Sequence, residues 1–156
     1  MKVLFMCTAN SCRSILSEAV FNHLAPQGFA AISAGSFPKG QVLPRSLSTL
    51  QAAGISTEGL YSKGNDAFEG SPPDVVITVC DKAAGEACPL YFGPAVKSHW
   101  GLEDPSDVKG NDADIQAAFN TTLDIIAKRC RAFFAVPFDC LSPAEIKAEF
   151  DRIALM

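Results

Sequence analysis

The sequence has no apolar run near the ~20 residues a membrane-spanning helix requires. Its first apolar stretch, Lys2 to Met6, is too short for a secretory leader and runs straight into Cys7. Basic charge is not in excess: 13 Lys and Arg stand against 17 Asp and Glu, a net charge of −4. That balance argues against a nucleic-acid binder, whose affinity rests on a positive surface. Internal repeats, low-complexity segments and linkers are also lacking, so 156 residues imply one domain with one core. The expectation is a soluble, cytoplasmic protein with neither a nucleic acid nor a membrane as partner. Cysteine, by contrast, is plentiful. Six in a chain of this size, in a reducing compartment, suggest redox or metal chemistry more than a disulfide scaffold.

Two of the six lie in Cys7-Thr8-Ala9-Asn10-Ser11-Cys12-Arg13-Ser14. This stretch follows an apolar run that reads as a buried strand and precedes a helical pattern. Backbone N–H groups of such a turn, and of the helix N-terminus, are free to donate to an anion. Arg13 adds a fork of donors that suits a tetrahedral oxyanion. The same positive field favours the thiolate of Cys7, and Ser14 can donate a hydrogen bond to it. A nucleophile at the floor of an oxyanion cradle suits attack on phosphate, arsenate or a similar species. The plainer alternative is a buried Cys and a surface Arg on either side of an ordinary turn, because C-x5-R alone is common. Its place directly after the first strand and ahead of Ser14 favours the anion site.

Along the chain, Ser14 to about Leu24 reads as an amphipathic helix ended by Pro26 and Gly28. Phe29 to Ala34 is a short strand. Pro44 starts a helix carrying Leu47, Leu50 and Ala53 inward and stopping at Gly54. A helical turn is expected near Asp66–Phe68. Asp74 to Val79 is dense in Val and Ile, as a buried parallel strand is, and ends at Cys80. Ala95 to Trp100 is a further strand. The longest helix runs from Asp112 to about Val136, with Ile115, Phe119, Ile126, Cys130 and Phe133 on one face. Ser142-Pro143-Ala144-Glu145 is a capping box that opens a last helix to about Ile153. Strands alternate with helices, which implies an α/β protein: an open parallel four-stranded sheet with helices on both faces. Ligands of such sheets sit beyond the carboxyl ends of the strands, where Cys7, Cys80 and Asp104 would share one edge.

Asp104 precedes Pro105 in a polar loop, and a carboxylic acid beside the cradle would protonate a departing oxygen. Cys80 and Cys88 could form a disulfide pair next to the nucleophile, making a thiol relay. Were 81–88 helical, the two Cα atoms would lie about 12 Å apart. A disulfide tolerates about 7 Å, so the segment would have to unwind, with Gly85 in its middle. Cys12 shapes the loop, Cys130 belongs to the core and Cys140 is a bystander. A zinc site from Cys7, Cys12, Cys80 and Cys88 is disfavoured: the spacings are wide and Arg13 would repel the metal. No metal or other cofactor is called for.

These residues resemble a known family. The Cys7–Ser14 stretch, Ser33-Ala34-Gly35, the Cys80/Cys88 pair followed by Pro89, and Lys97-Ser98-His99-Trp100-Gly101-Leu102-Glu103-Asp104-Pro105 are similar to thioredoxin-coupled arsenate reductases. Those share the fold of the low-molecular-weight tyrosine phosphatases. The resemblance covers roughly residues 2 to 135, and 137–156 reads as a C-terminal helical extension of the one domain. It implies that Cys7 attacks arsenate while Arg13 and the loop Thr8, Ala9, Asn10, Ser11, Cys12 and Ser14 bind it. Asp104 then protonates the leaving hydroxyl, Cys80 attacks the Cys7 sulfur, and Cys88 resolves Cys80. The resulting 80–88 disulfide would be reduced by thioredoxin, or by a glutaredoxin/glutathione couple. Some members bind potassium beside the loop through an Asn, a Glu, a Ser and an Asp. Asn10, Glu18 and Ser33 match the first three, whereas Lys63 stands near the fourth. A tyrosine phosphatase would leave Cys80 and Cys88 unexplained and would carry aromatics after Asp-Pro, where Ser106-Asp107 follow. A non-enzymatic anion or metal sensor would leave Asp104 unexplained.

Overall fold

The computed structural model describes residues 1–64, 72–80 and 95–156. Within them four strands, β1 (Lys2–Cys7), β2 (Ala30–Gly35), β3 (Val75–Thr78) and β4 (Val96–His99), form one sheet in the order β2-β1-β3-β4. Every pairing is parallel. This is the open four-stranded sheet that the alternation of strands and helices implies. Strand order reverses at β1, with β2 on one side and β3 on the other. A crevice therefore opens beyond the carboxyl end of β1, where open α/β sheets bind ligands. Cys7 is the last residue of β1, and Cys80 lies two residues past the end of β3. The helical turn expected near Asp66–Phe68 and the whole 81–94 connection, Cys88 included, fall outside the described residues.

The α-helices among the described residues are α1 (Arg13–Leu24), α2 (Pro44–Ala52), α3 (Asp112–Phe134) and α4 (Pro143–Ile153). Alternate residues of β1 feed two clusters. Val3, Phe5 and Cys7 join a large one that takes side chains from all four helices. Leu4 and Met6 join a small one with Ala34 and Val76. Both long C-terminal helices start as their sequences dictate. Asn111 and Asp114 form a capping box on α3, and Ser142 and Glu145 form one on α4 with Pro143 in the first turn.

Two expectations need correcting. Helix α1 is not amphipathic: every residue from Ser14 to Phe21 is buried. Within that stretch Ser14, Ser17 and Glu18 have partners inside the protein rather than water. In α2 the inward side chains are Ser46, Thr49 and Leu50, while Ala53 is exposed. Ser46 and Thr49 turn inward because each has a polar partner there, Ser11 O and the Gln116 amide.

Helix α4 is part of the main core. Phe150 and Ile153 are fully buried. The Phe150 ring stacks on Phe133 at 5.1 Å and 12°, and its carbonyl accepts the Trp100 indole N–H at 3.0 Å. Ser98 of edge strand β4 donates to Asp151 at 2.8 Å. Phe150→Ala should therefore cost about 3–5 kcal/mol of unfolding free energy, as truncation of a buried aromatic does. Urea denaturation of both proteins would measure it; a loss under ~1 kcal/mol would make α4 an appendage.

Candidate active site

Five residues link Cys7 at the end of β1 to Arg13 at the start of α1. Their carbonyls are claimed from outside. Phe37 N–H donates to Thr8 O at 2.8 Å, Lys39 N–H to Ala9 O at 3.0 Å and Leu43 N–H to Ser11 O at 3.0 Å. Hydroxyls add to this: Ser62 Oγ donates to Ala9 O and Ser46 Oγ to Ser11 O. A planar trans peptide directs its N–H opposite to its C=O. With these three carbonyls turned out, the N–H groups of Ala9, Asn10 and Cys12 are turned in. Asn10 N–H indeed donates to Cys7 Sγ at 3.2 Å. Those of Ala9 and Cys12 meet no protein acceptor among the described residues. The N-terminus of α1 adds its partial positive charge at the same place. Asn10 closes the turn with φ +48, a left-handed conformation that Asn tolerates. Gly35 lets the loop settle against β2, since a Cβ there would lie 2.5 Å from Thr8 O.

The donors around the nucleophile can be assigned from their neighbours. Lys63 N–H donates to Asn10 Oδ1 at 2.8 Å, which fixes the orientation of that amide. Asn10 Nδ2 then donates to Ser14 Oγ at 2.8 Å and to Ser33 Oγ at 3.0 Å. The Ser33 hydroxyl proton goes to Glu18 Oε1, 2.7 Å away. The Ser14 proton is left for Cys7 Sγ at 2.9 Å. Two donors thus converge on the sulfur, as a thiolate requires. Lys63, itself buried, completes the chain with Nζ 3.4 Å from Glu18 Oε1 and 3.0 Å from Tyr61 O. The residue standing near the fourth potassium position thus places its own ammonium next to Glu18.

Arg13 NH1 donates to Leu102 O at 3.1 Å, and NH2 lies 3.5 Å from Asp104 Oδ2. The other carboxylate oxygen, Oδ1, accepts the Ser106 N–H and hydroxyl at 2.9 and 2.6 Å. Asp104 is therefore held by its own turn with one oxygen towards the cradle. Cys7, Arg13, Cys80 and Asp104 line one pocket of about 380 Å³. The Thr8 hydroxyl lies 3.5 Å from Cys80 Sγ. Cys12 also borders the pocket, but burial pushes its thiol up to about 12, so it stays protonated and does not compete with Cys7. Cys130 is fully buried in α3 and Cys140 is exposed. Among the described residues no three His, Cys, Asp or Glu side chains are grouped to hold a metal ion.

Sequence reading missed several contributors. Ser106 does have a local signal, because Asp-Pro-Ser sets up a side chain that caps its own turn. The outward pull of residues 37–46 on the loop carbonyls has no local signature. Neither has Lys39, which lines the pocket from an irregular segment.

Known proteins place this geometry. An arsenate reductase of Halalkalibacterium halodurans is 31% identical over 131 residues, covering 84% of this chain and 93% of that protein. A solved structure of an arsenate reductase in the phosphate-binding state matches with a TM-score of 0.71 at 28% identity, over 86% of this chain and 96% of that one. The thioredoxin-dependent arsenate reductase of Corynebacterium glutamicum shares the fold, with a TM-score of 0.59 at 24% identity over 83% of this chain and 61% of that one. The family model for low molecular weight phosphotyrosine protein phosphatases matches residues 2–150. With nearly its whole length matched, the chain belongs to the low molecular weight phosphotyrosine protein phosphatase family.

Proposed function

We propose that this protein is a cytoplasmic arsenate reductase that passes two electrons from its own thiols to arsenate. The observation that carries the reading is the second sulfur. Cys80 lines the pocket of Cys7, with the Thr8 hydroxyl 3.5 Å from its Sγ. Hydrolysis of a phosphate ester needs a nucleophile, an oxyanion cradle and an acid, and has no use for another thiol there. Relatives named arsenate reductase, similar over most of both chains, support the same choice.

In this mechanism the inward N–H groups and Arg13 hold the arsenate oxygens. Cys7 thiolate, with Asn10 N–H and Ser14 Oγ as donors to its sulfur, attacks arsenic and forms an S–As bond. Asp104 gives its proton to the departing oxygen, which leaves as water. Cys80 thiolate then attacks the Cys7 sulfur. An S–S bond forms, the S–As electron pair stays on arsenic, and arsenite departs with two thiols oxidised. Cys88, assigned its part by the family resemblance, attacks Cys80 and frees Cys7. An external dithiol, thioredoxin or a glutaredoxin/glutathione couple, reduces the 80–88 disulfide and closes the cycle.

Arsenite formation with a thioredoxin system, run beside hydrolysis of an aryl phosphate, tests the reading. Arsenite should accumulate over many turnovers; a protein that only hydrolyses the ester is a phosphatase. Cys7→Ser should abolish arsenite formation altogether. Cys88→Ala should release one arsenite per chain and then stall, so sustained thioredoxin-driven turnover by that variant would refute the relay.

Asp104→Asn keeps the shape of the turn but has no proton to give. Single-turnover arsenite formation should slow by about 10²–10⁴-fold, the usual worth of a positioned acid. Phosphate affinity should change little, because Arg13 and the loop hold the anion. Equal losses in rate and affinity would make Asp104 a structural residue.

Potassium should not matter, because Lys63 Nζ already supplies a positive charge beside Glu18. Melting temperature and turnover should agree in potassium chloride and tetramethylammonium chloride of equal ionic strength. A gain specific to potassium would show that the ammonium does not fill that role.

A further inference from the structure

We infer that Lys39 is a substrate-recognition residue, whose ammonium captures the arsenate dianion at the mouth of the pocket. The inference rests on reading the pocket as an oxyanion site and adds a residue to it. Among the described residues two side-chain cations line that pocket, Arg13 and Lys39. Arg13 is already engaged: NH1 with Leu102 O and NH2 with Asp104. Lys39 is exposed, and its ammonium has no hydrogen bond or ion pair among the described residues. Lys63 is spoken for by Glu18 and Tyr61.

Charge accounting shows what a second cation adds at encounter, before Asp104 takes up its proton. With Cys7 as thiolate and Asp104 ionised, Arg13 leaves the lining side chains at one net negative charge. The N-terminus of α1 returns about half a positive charge. A dianion approaching that pocket would be repelled. Lys39 shifts the balance to about half a unit positive, and protonation of Asp104 raises it further. The position of Lys39 is built rather than incidental. Its N–H is bonded to Ala9 O in the loop, and Gly40 N–H is bonded to Ser62 Oγ, which itself donates to Ala9 O. The stem therefore starts from the rim of the cradle, and four flexible carbons let the ammonium follow the anion inwards. Contact at an open mouth acts on encounter and ground-state binding more than on the chemical step.

The test uses the whole enzyme, with inorganic phosphate as binding probe and arsenate as substrate. At low ionic strength Lys39→Ala should weaken phosphate and raise KM for arsenate at least about fivefold, the worth of one pair of unit charges at ~4 Å in water. The value of kcat should move much less than KM. Lys39→Arg should restore both affinities. Near 1 M salt, where the Debye length is ~3 Å, the gap between Lys39→Ala and the unmodified protein should close. Affinities unchanged in Lys39→Ala at low salt, or a loss that salt does not reduce, would overturn the inference. Arg13→Ala separates this from failure of the pocket itself. If it loses phosphate while Lys39→Ala does not, only Lys39 is misassigned; if it binds phosphate normally, the oxyanion site is wrong as well.

Discussion

The site depends on which way three peptide groups of the loop face. A loop that is to hold an anion must turn its carbonyls away, because each inward carbonyl would repel the ligand and remove an inward N–H. Helix α1 cannot impose that orientation, since the loop precedes its first turn. The pull comes from residues 37–46 and Ser62, which take the outward oxygens of Thr8, Ala9 and Ser11. Gly35 is the partner constraint: the loop lies so close to β2 that no Cβ fits between them. The two effects act together, one drawing the loop outwards and one allowing it to sit down. Polar groups that would be costly if buried unpaired thereby become the walls of the pocket.

Behind the loop, a run of buried polar groups fixes direction as well as position. Asn10 donates twice and accepts once, so its amide cannot flip without breaking three bonds. That orientation makes Ser14 a donor to Cys7. At the far end lie Glu18 and Lys63, both largely buried, whose pairing meets the desolvation penalty each charge would otherwise incur alone. A network in which every member is paired is rigid, and rigidity at the sulfur is what an attacking thiolate requires.

Much of this fold can be read in the sequence, because local pattern decides it. The Val- and Ile-rich β3, the capping boxes at Asn111 and Ser142, and Pro44 at the start of α2 are each recorded in a few adjacent residues. The position of Cys7 and Arg13 across a strand–loop–helix turn is legible for the same reason. Helix α1 was misjudged because its polar residues resemble a solvated face. Ser14 is buried by the loop itself and Glu18 by partners 15 and 45 positions distant, and helical periodicity holds no trace of those partners. Lys39 and the donors of residues 37–46 were missed for a related reason: they act through backbone groups or through bare proximity, which leave no residue signature.

Position in the sheet explains how a second sulfur reaches the cradle. β1 and β3 pair in parallel with Met6 opposite Thr78, and Val79 N–H extends the ladder to Met6 O. That register brings Thr8 alongside Cys80, which is why the hydroxyl and the thiol meet. The segment after β4 is fixed from several sides at once. Trp100 N–H bonds Thr78 O, Leu102 N–H bonds Val79 O, Arg13 holds Leu102 O, and Arg129 of α3 holds Gly101 O at 3.1 Å. Arg129 also reaches Ala154 O at the end of α4, and the Trp100 indole is bonded to Phe150 O. Burial pushes the Arg129 guanidinium down from its ordinary value, so this cation is held in place by carbonyl dipoles. The C-terminal helix is thus tied, through one arginine and one indole, to the backbone that precedes Asp104 by a few residues. Loosening α4 would therefore act on the site through the segment that carries Asp104 and that Arg13 holds at Leu102 O, rather than through Cys7 and the loop amides.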